Sequence, residues 1–138
     1  MADKTLSDIA KIMADIDITM LSTRTDGGAI AARPMSNNRE VEYDGDSFYF
    51  TWDKARMVAD IEAEPQVGLS FQGSDSFLIA VEGKAEIVRD TAAFAAHWSD
   101  ELDQWFEDGV DTPGLVMIRV GATRVHYWDG EDEGEVKL

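Results

Sequence analysis

Leu6, Ile9, Met13 and Ile16 recur at helical spacing and predict an amphipathic helix over 6–17, with Thr5 and Asp8 placed to cap its start. The pattern then turns to strands. Residues 18–24 (ITMLSTR) and 29–36 (AIAARPMS) flank Asp26-Gly27-Gly28, a strong hairpin signal. Asn37 to Asp44 is polar and irregular, Asp44-Gly45-Asp46 reads as a turn, and SFYFTW (47–52) as a third strand. Ala55, Val58, Ala59 and Ile61 restore the helical period from near Lys54 until Pro65 forbids it.

Gln66 to Gln72 predicts a fourth strand, and Gly73-Ser74-Asp75 a turn. Phe77, Ile79, Val81, Ala85 and Ile87 share one face of a long strand, with Gly83 as a bend or bulge. Asp90-Thr91 opens a helical stretch striped by Phe94, Trp98, Leu102 and Phe106, which Ser99-Asp100 can split in two. Residues 115–128 predict a last strand interrupted near Gly121-Ala122-Thr123, followed by a frayed acidic tail, DGEDEGEV. About six antiparallel strands with short flanking helices predict a mainly β fold closed as a barrel, which removes exposed edges.

A length of 138 residues suits one domain around one core, expected to span 1–138. Without cysteine there is no disulfide framework, thiol nucleophile or thiolate metal site. No apolar run reaches membrane-spanning length, and the first residues lack the pattern of a secretory signal. A cytoplasmic protein without membrane contact is therefore expected. A net charge of -16, from 28 acids against 12 bases, opposes broad nucleic-acid binding, because each phosphate must approach against the field. One anionic ligand stays compatible with it where bases cluster.

Two short segments offer such a cluster. Arg33 interrupts an apolar strand, and Pro34 beside it marks an edge or irregular strand. Thr51, Trp52 and Lys54 lie where a strand hands over to a helix, whose first N–H groups favour an anion. Arg56 adds a charge if it faces the same way, and Asp53 can act simply as the helix cap. The four tryptophans suit a core, an interface or the flank of a planar ring. His97 reads as a surface or cap group and His126 lies on the last strand; neither sits in a metal pattern, and no metal is expected. No hydrolase elbow, phosphate loop or dinucleotide fingerprint is present.

The segments ITMLSTRTDGGAIAARPMS, SFYFTWDKARMVADIEAEPQVGLSF, SFLIAVEGKAEIVRD, WSDELDQWFEDG and TRVHYWDG follow one another from about Leu6 to Asp129. Their order resembles the general stress protein 26 branch of the pyridoxamine 5'-phosphate oxidase-like proteins. The resemblance implies a split β-barrel, a homodimer, and flavin mononucleotide (FMN) in a groove between subunits. It lays Arg33, Pro34 and Met35 along the flavin, with Arg33 at its phosphate or ring edge. Thr51, Trp52 and Lys54 fall on the phosphate and ribityl side, and Trp105 or Trp128 approaches across the interface. Related split barrels accommodate other planar ligands, including deazaflavin and haem. Vitamin B6 oxidisers of the family carry extra basic residues near the C-terminus, whereas this chain ends acidic with the single late Lys137. The resemblance thus implies an FMN-binding, stress-type oxidoreductase of unassigned substrate. A non-catalytic flavin sensor or store, and a structural dimer without cofactor, stay open beside it.

Overall fold

The computed structural model describes residues 4–37 and 43–138. Most of the irregular stretch expected between Asn37 and Asp44 lies outside the described residues.

The first helix, α1 (Leu6–Met13), opens on a reciprocal cap: the Thr5 hydroxyl accepts from the Asp8 amide, and the Asp8 carboxylate accepts from the Thr5 amide. Eight residues are too few to hold a helix alone. Burial of Ile9 and Met13 in the barrel core holds it in place. The helix stops four residues before the predicted end at 17. Asn37 donates its side-chain amide to the carbonyls of Met13 and Ile16, which satisfies a turn there. Ile16 is buried as its period predicts, but from beyond the helix.

The strands are β1 (Ile18–Arg24), β2 (Ile30–Ser36), β3 (Asp46–Trp52), β4 (Gln66–Gln72), β5 (Phe77–Val88), β6 (Leu115–Asp129) and β7 (Asp132–Lys137). Two further helices, α2 (Arg56–Ala63) and α3 (Thr91–His97), lie between them. The sheet is antiparallel in the order β2-β1-β4-β5-β6-β3. β6 carries two partners on its second edge: β3 along Leu115–Gly121 and β7 along Arg124–Asp129. The sheet curls into a split barrel, with Leu21, Tyr49, Leu69, Ile79, Ile118 and Val125 inside it. A second apolar cluster, built on Phe50, Phe94, Leu102, Phe106, Leu115 and Met117, lies between β3, β6 and the 98–113 segment.

Four expectations are corrected. The acidic tail is not frayed: it is β7, the seventh strand, tied to β6 by Arg124–Glu135 and His126–Glu133 contacts. β6 is not interrupted at Gly121-Ala122-Thr123; one extra residue there is absorbed as a bulge opposite Glu82 and Gly83. Gly83 is needed there, since a Cβ would lie 2.6 Å from the Gly121 carbonyl oxygen. The second helix begins at Arg56 rather than near Lys54, and its N-cap is Ala55, so Asp53 does not cap it. Asp53 instead accepts a hydrogen bond from Arg89 at 2.6 Å. The stripe from Phe94 to Phe106 does divide where Ser99 and Asp100 suggested: α3 ends at His97, and a 3₁₀ turn, Asp100–Gln104, follows.

Candidate functional site

β2 and β3 are the two ends of the main strand order, and the barrel is open between them. Pro34 and Met35 line one side of this seam, and Phe50, Thr51 and Trp52 the other. The segment after α3 forms the third wall through Glu101, Leu102, Gln104, Trp105 and Phe106, while Asp17, Ile18, Ser36 and Met57 complete the lining. The hollow measures about 520 Å³, within the range of small-molecule sites. Packing fixes its walls. Phe106 lies between Trp52, at 5.0 Å between ring centroids, and Trp98, at 5.9 Å. Trp98 also packs edge-on against Phe50 at 4.9 Å and donates its indole N–H to Asp103. This aromatic stack leaves Trp105, 62% exposed, and Trp52, 46% exposed, at the groove.

Among the described residues, none that lines the groove is basic, and Asp17 and Glu101 are acidic. The candidate cations stand apart from the groove, and Arg33 and Arg56 are each next in sequence to a residue that lines it. Arg33 precedes Pro34 and turns inward: its Nη1 donates to the Leu21 carbonyl at 3.2 Å and to the Thr23 hydroxyl at 2.8 Å. Arg56 precedes Met57 and donates from Nε and Nη2 to the Thr25 hydroxyl, at 2.8 and 2.6 Å. Both guanidinium groups lie 3.9–4.0 Å from one oxygen of Asp60, a carboxylate only 7% exposed. Two positive groups against one negative leave this cluster positive in a strongly negative protein. Burial lowers the pKa of Arg33, the Asp60 charge opposes that shift, and Arg56 adds to it. The guanidinium remains charged at any working pH.

The sequence candidates therefore divide. Pro34, Met35, Thr51, Trp52 and Trp105 meet in one groove. Arg33 and Arg56 meet at Asp60. Lys54 is exposed on the turn before α2 and does not line the groove. Trp128 is also outside the lining; it stacks on His126 at 4.3 Å on the outer face of the sheet. His97, read as a surface or cap group, is half-buried at the end of α3 and stacked on Phe48 at 3.6 Å. Sequence reasoning missed Asp60, Thr23 and Thr25. The one signal was the Arg56-to-Asp60 spacing of four on a helix.

The family model described as pyridoxamine 5'-phosphate oxidase like matches residues 4–138. The chain belongs to this family. Among solved structures of similar fold is a Clostridium acetobutylicum protein related to general stress protein 26 of B. subtilis. It has a TM-score of 0.86 and 20% identity, over 100% of this chain and 97% of that one. A general stress family protein from Xanthomonas campestris pv. campestris has a TM-score of 0.77 and 25% identity, again over 100% and 97%. A heme binding protein from Mycobacterium smegmatis has a TM-score of 0.77 and 18% identity, over 99% of this chain and 60% of that one. No curated protein matches the sequence. Among the described residues, no helix is long and apolar enough to cross a membrane.

Proposed function

We propose that this member of the pyridoxamine 5'-phosphate oxidase-like family binds FMN, with the flavin ring in the seam groove and the phosphate toward Arg33 and Arg56. One observation carries the reading. A largely aromatic and apolar groove of about 520 Å³ lies beside a net-positive cluster in which Arg33 and Arg56, each adjacent in sequence to a groove residue, share the buried Asp60. A ring system needs the first feature and a phosphate monoester the second. The residues present thus fit the cofactor. Pro34, Met35, Thr51, Trp52 and Trp105 would hold the ring, and Arg33 and Arg56 the phosphate. Bound flavin supplies redox chemistry at its ring, which makes the protein a candidate oxidoreductase. The chain's own part is to exclude water with Trp52, Trp105 and Phe106 and to orient the ring through Thr51.

Haem fits less well. Neither histidine lines the groove, which leaves only the thioethers of Met35 and Met57 as axial ligands of ordinary kind.

The same reading makes the protein a homodimer. Ile18, Met20, Leu78 and Trp128 are 37–50% exposed on the outer face of the barrel sheet. Ile18 lines both the seam groove and a hollow of about 920 Å³ that Met20 and Leu78 also border. A second copy seated on this face would cover the apolar patch and wall the groove from outside.

Isothermal titration of the purified protein with FMN, and with riboflavin as the comparison, tests the proposal. Binding of FMN at one per chain, tighter than riboflavin, supports it. Equal binding of the two removes the phosphate site, and binding of neither leaves a structural dimer or another ligand.

A further inference from the structure

The polar node under the two arginines has a directional order that counter-charge alone does not explain. Asp60 accepts hydrogen bonds from the hydroxyls of Thr25, at 3.0 Å, and Thr23, at 3.4 Å. Each threonine has one hydroxyl proton, and donating it to Asp60 turns the oxygen's lone pairs outward. Those oxygens are the acceptors that hold Arg33 and Arg56, at 2.6–2.8 Å. The direct arginine–carboxylate separations, 3.9 and 4.0 Å, are too long for hydrogen bonds. The carboxylate therefore attracts the arginines directly by its charge but reaches them by hydrogen bonds only through the threonines.

We infer that Asp60 is the positioning residue of the phosphate site: it sets the hydroxyls of Thr23 and Thr25 so that both guanidinium groups stand ready for the same anion. This rests on the FMN reading and deepens it, because it names what gives the site its preference for a phosphate monoester. Asp60 is a carboxylate, and its charge alone would repel a phosphate. Two guanidinium charges outweigh that one carboxylate, so the cluster stays attractive to an anion while the hydrogen bonds keep it ordered. A flexible exposed arginine loses side-chain freedom on binding an anion, whereas one already fixed loses less. Arg56 is 64% exposed and would otherwise be free to leave the site.

The two accounts of Asp60 predict opposite signs. Asp60→Asn removes the negative charge and places an amide donor where one threonine needs an acceptor. If Asp60 only repels, the variant strengthens FMN binding. If it positions, the variant weakens FMN and leaves riboflavin unchanged.

The experiment titrates FMN and riboflavin into wild type, Asp60→Asn and Thr25→Val, with a thermal melt of each. Thr25→Val keeps every charge and removes only the hydroxyl that holds Arg56, so it carries the test should Asp60→Asn fail to fold. The expected result is a fall of about tenfold or more in the FMN-to-riboflavin affinity ratio in both variants, the scale of one hydrogen bond to a charged group. A ratio at or above the wild-type value in either folded variant overturns the inference while the FMN reading stands. A wild-type protein that binds both ligands equally overturns the phosphate site itself, and this inference with it.

Discussion

Gly134→Ala is a direct probe of how the acidic C-terminal strand is held. Gly134 of β7 pairs with Tyr127 of β6, and the tyrosine ring passes beneath the glycine. A Cβ at this position would overlap the Tyr127 hydroxyl and Cζ and lie 2.9 Å from Cε1. The backbone of Gly134 is not in the left-handed region, so the cost is space and not conformation. The ring has little freedom to move away. It is 4% exposed, stacked on Phe77 at 6.1 Å, and its hydroxyl accepts from the Lys4 amide at 2.9 Å. Either that hydrogen bond and packing are lost or β7 lifts off β6. Overpacking costs about 1–3 kcal/mol and a lost hydrogen bond about 1 kcal/mol, so about 2–4 kcal/mol is expected. In a domain of this size that lowers Tm by roughly 10 °C. Gly130→Ala is the control: its φ is +64° with open space around it, so it should cost only about 1 kcal/mol, from backbone strain. Circular-dichroism melts of both variants measure the difference. Gly134→Ala within 0.5 kcal/mol of wild type would refute the packing of Tyr127 under β7.

Three further perturbations separate the remaining parts of the account. Trp105→Ala should weaken FMN and riboflavin by the same factor, about tenfold by titration, with little change in Tm because the side chain is largely exposed. A loss confined to FMN would contradict its place at the ring. Met20→Glu should convert a dimer to a monomer in sedimentation velocity, since it sets a charge in the exposed apolar face; a wild-type monomer would contradict the docking face. Burial pushes the Tyr49 phenol up to about 12, partly opposed by the Thr19 and Ser47 hydroxyls. An unfolded tyrosine titrates near 10. Between these values the unfolded chain has lost a proton that the folded chain keeps, so the stability present below about pH 10 falls by up to about 3 kcal/mol toward pH 12. Tyr49→Phe should flatten that fall in denaturant titrations across pH 9–12, and identical slopes would contradict the burial argument.

Local chemistry written in the chain made much of the fold legible. Thr5 and Asp8 announced a cap that forms, Asp26-Gly27-Gly28 a hairpin, and Gly83 a bulge. The errors arose where distant residues decide. Nothing near Met13 shows that Asn37 will end the helix there. β7 has no alternating apolar pattern, because its stability comes from its ladder with β6 and from charged partners on that strand. The groove was partly legible: Pro34 marked an edge strand, and Thr51 and Trp52 the end of another. That these edges face each other follows from the whole sheet order. Asp60 was hidden for the same reason. On its own helix it is one more acid, and it gains a role only when β1 and β2 bring Thr23, Thr25 and Arg33 to it.

The most direct measurement is a crystal structure of the protein grown with FMN. The account predicts the flavin ring between Pro34–Met35 and Thr51–Trp52, with its phosphate at Arg33 and Arg56. An empty groove, or a flavin whose phosphate lies away from both arginines, would contradict it.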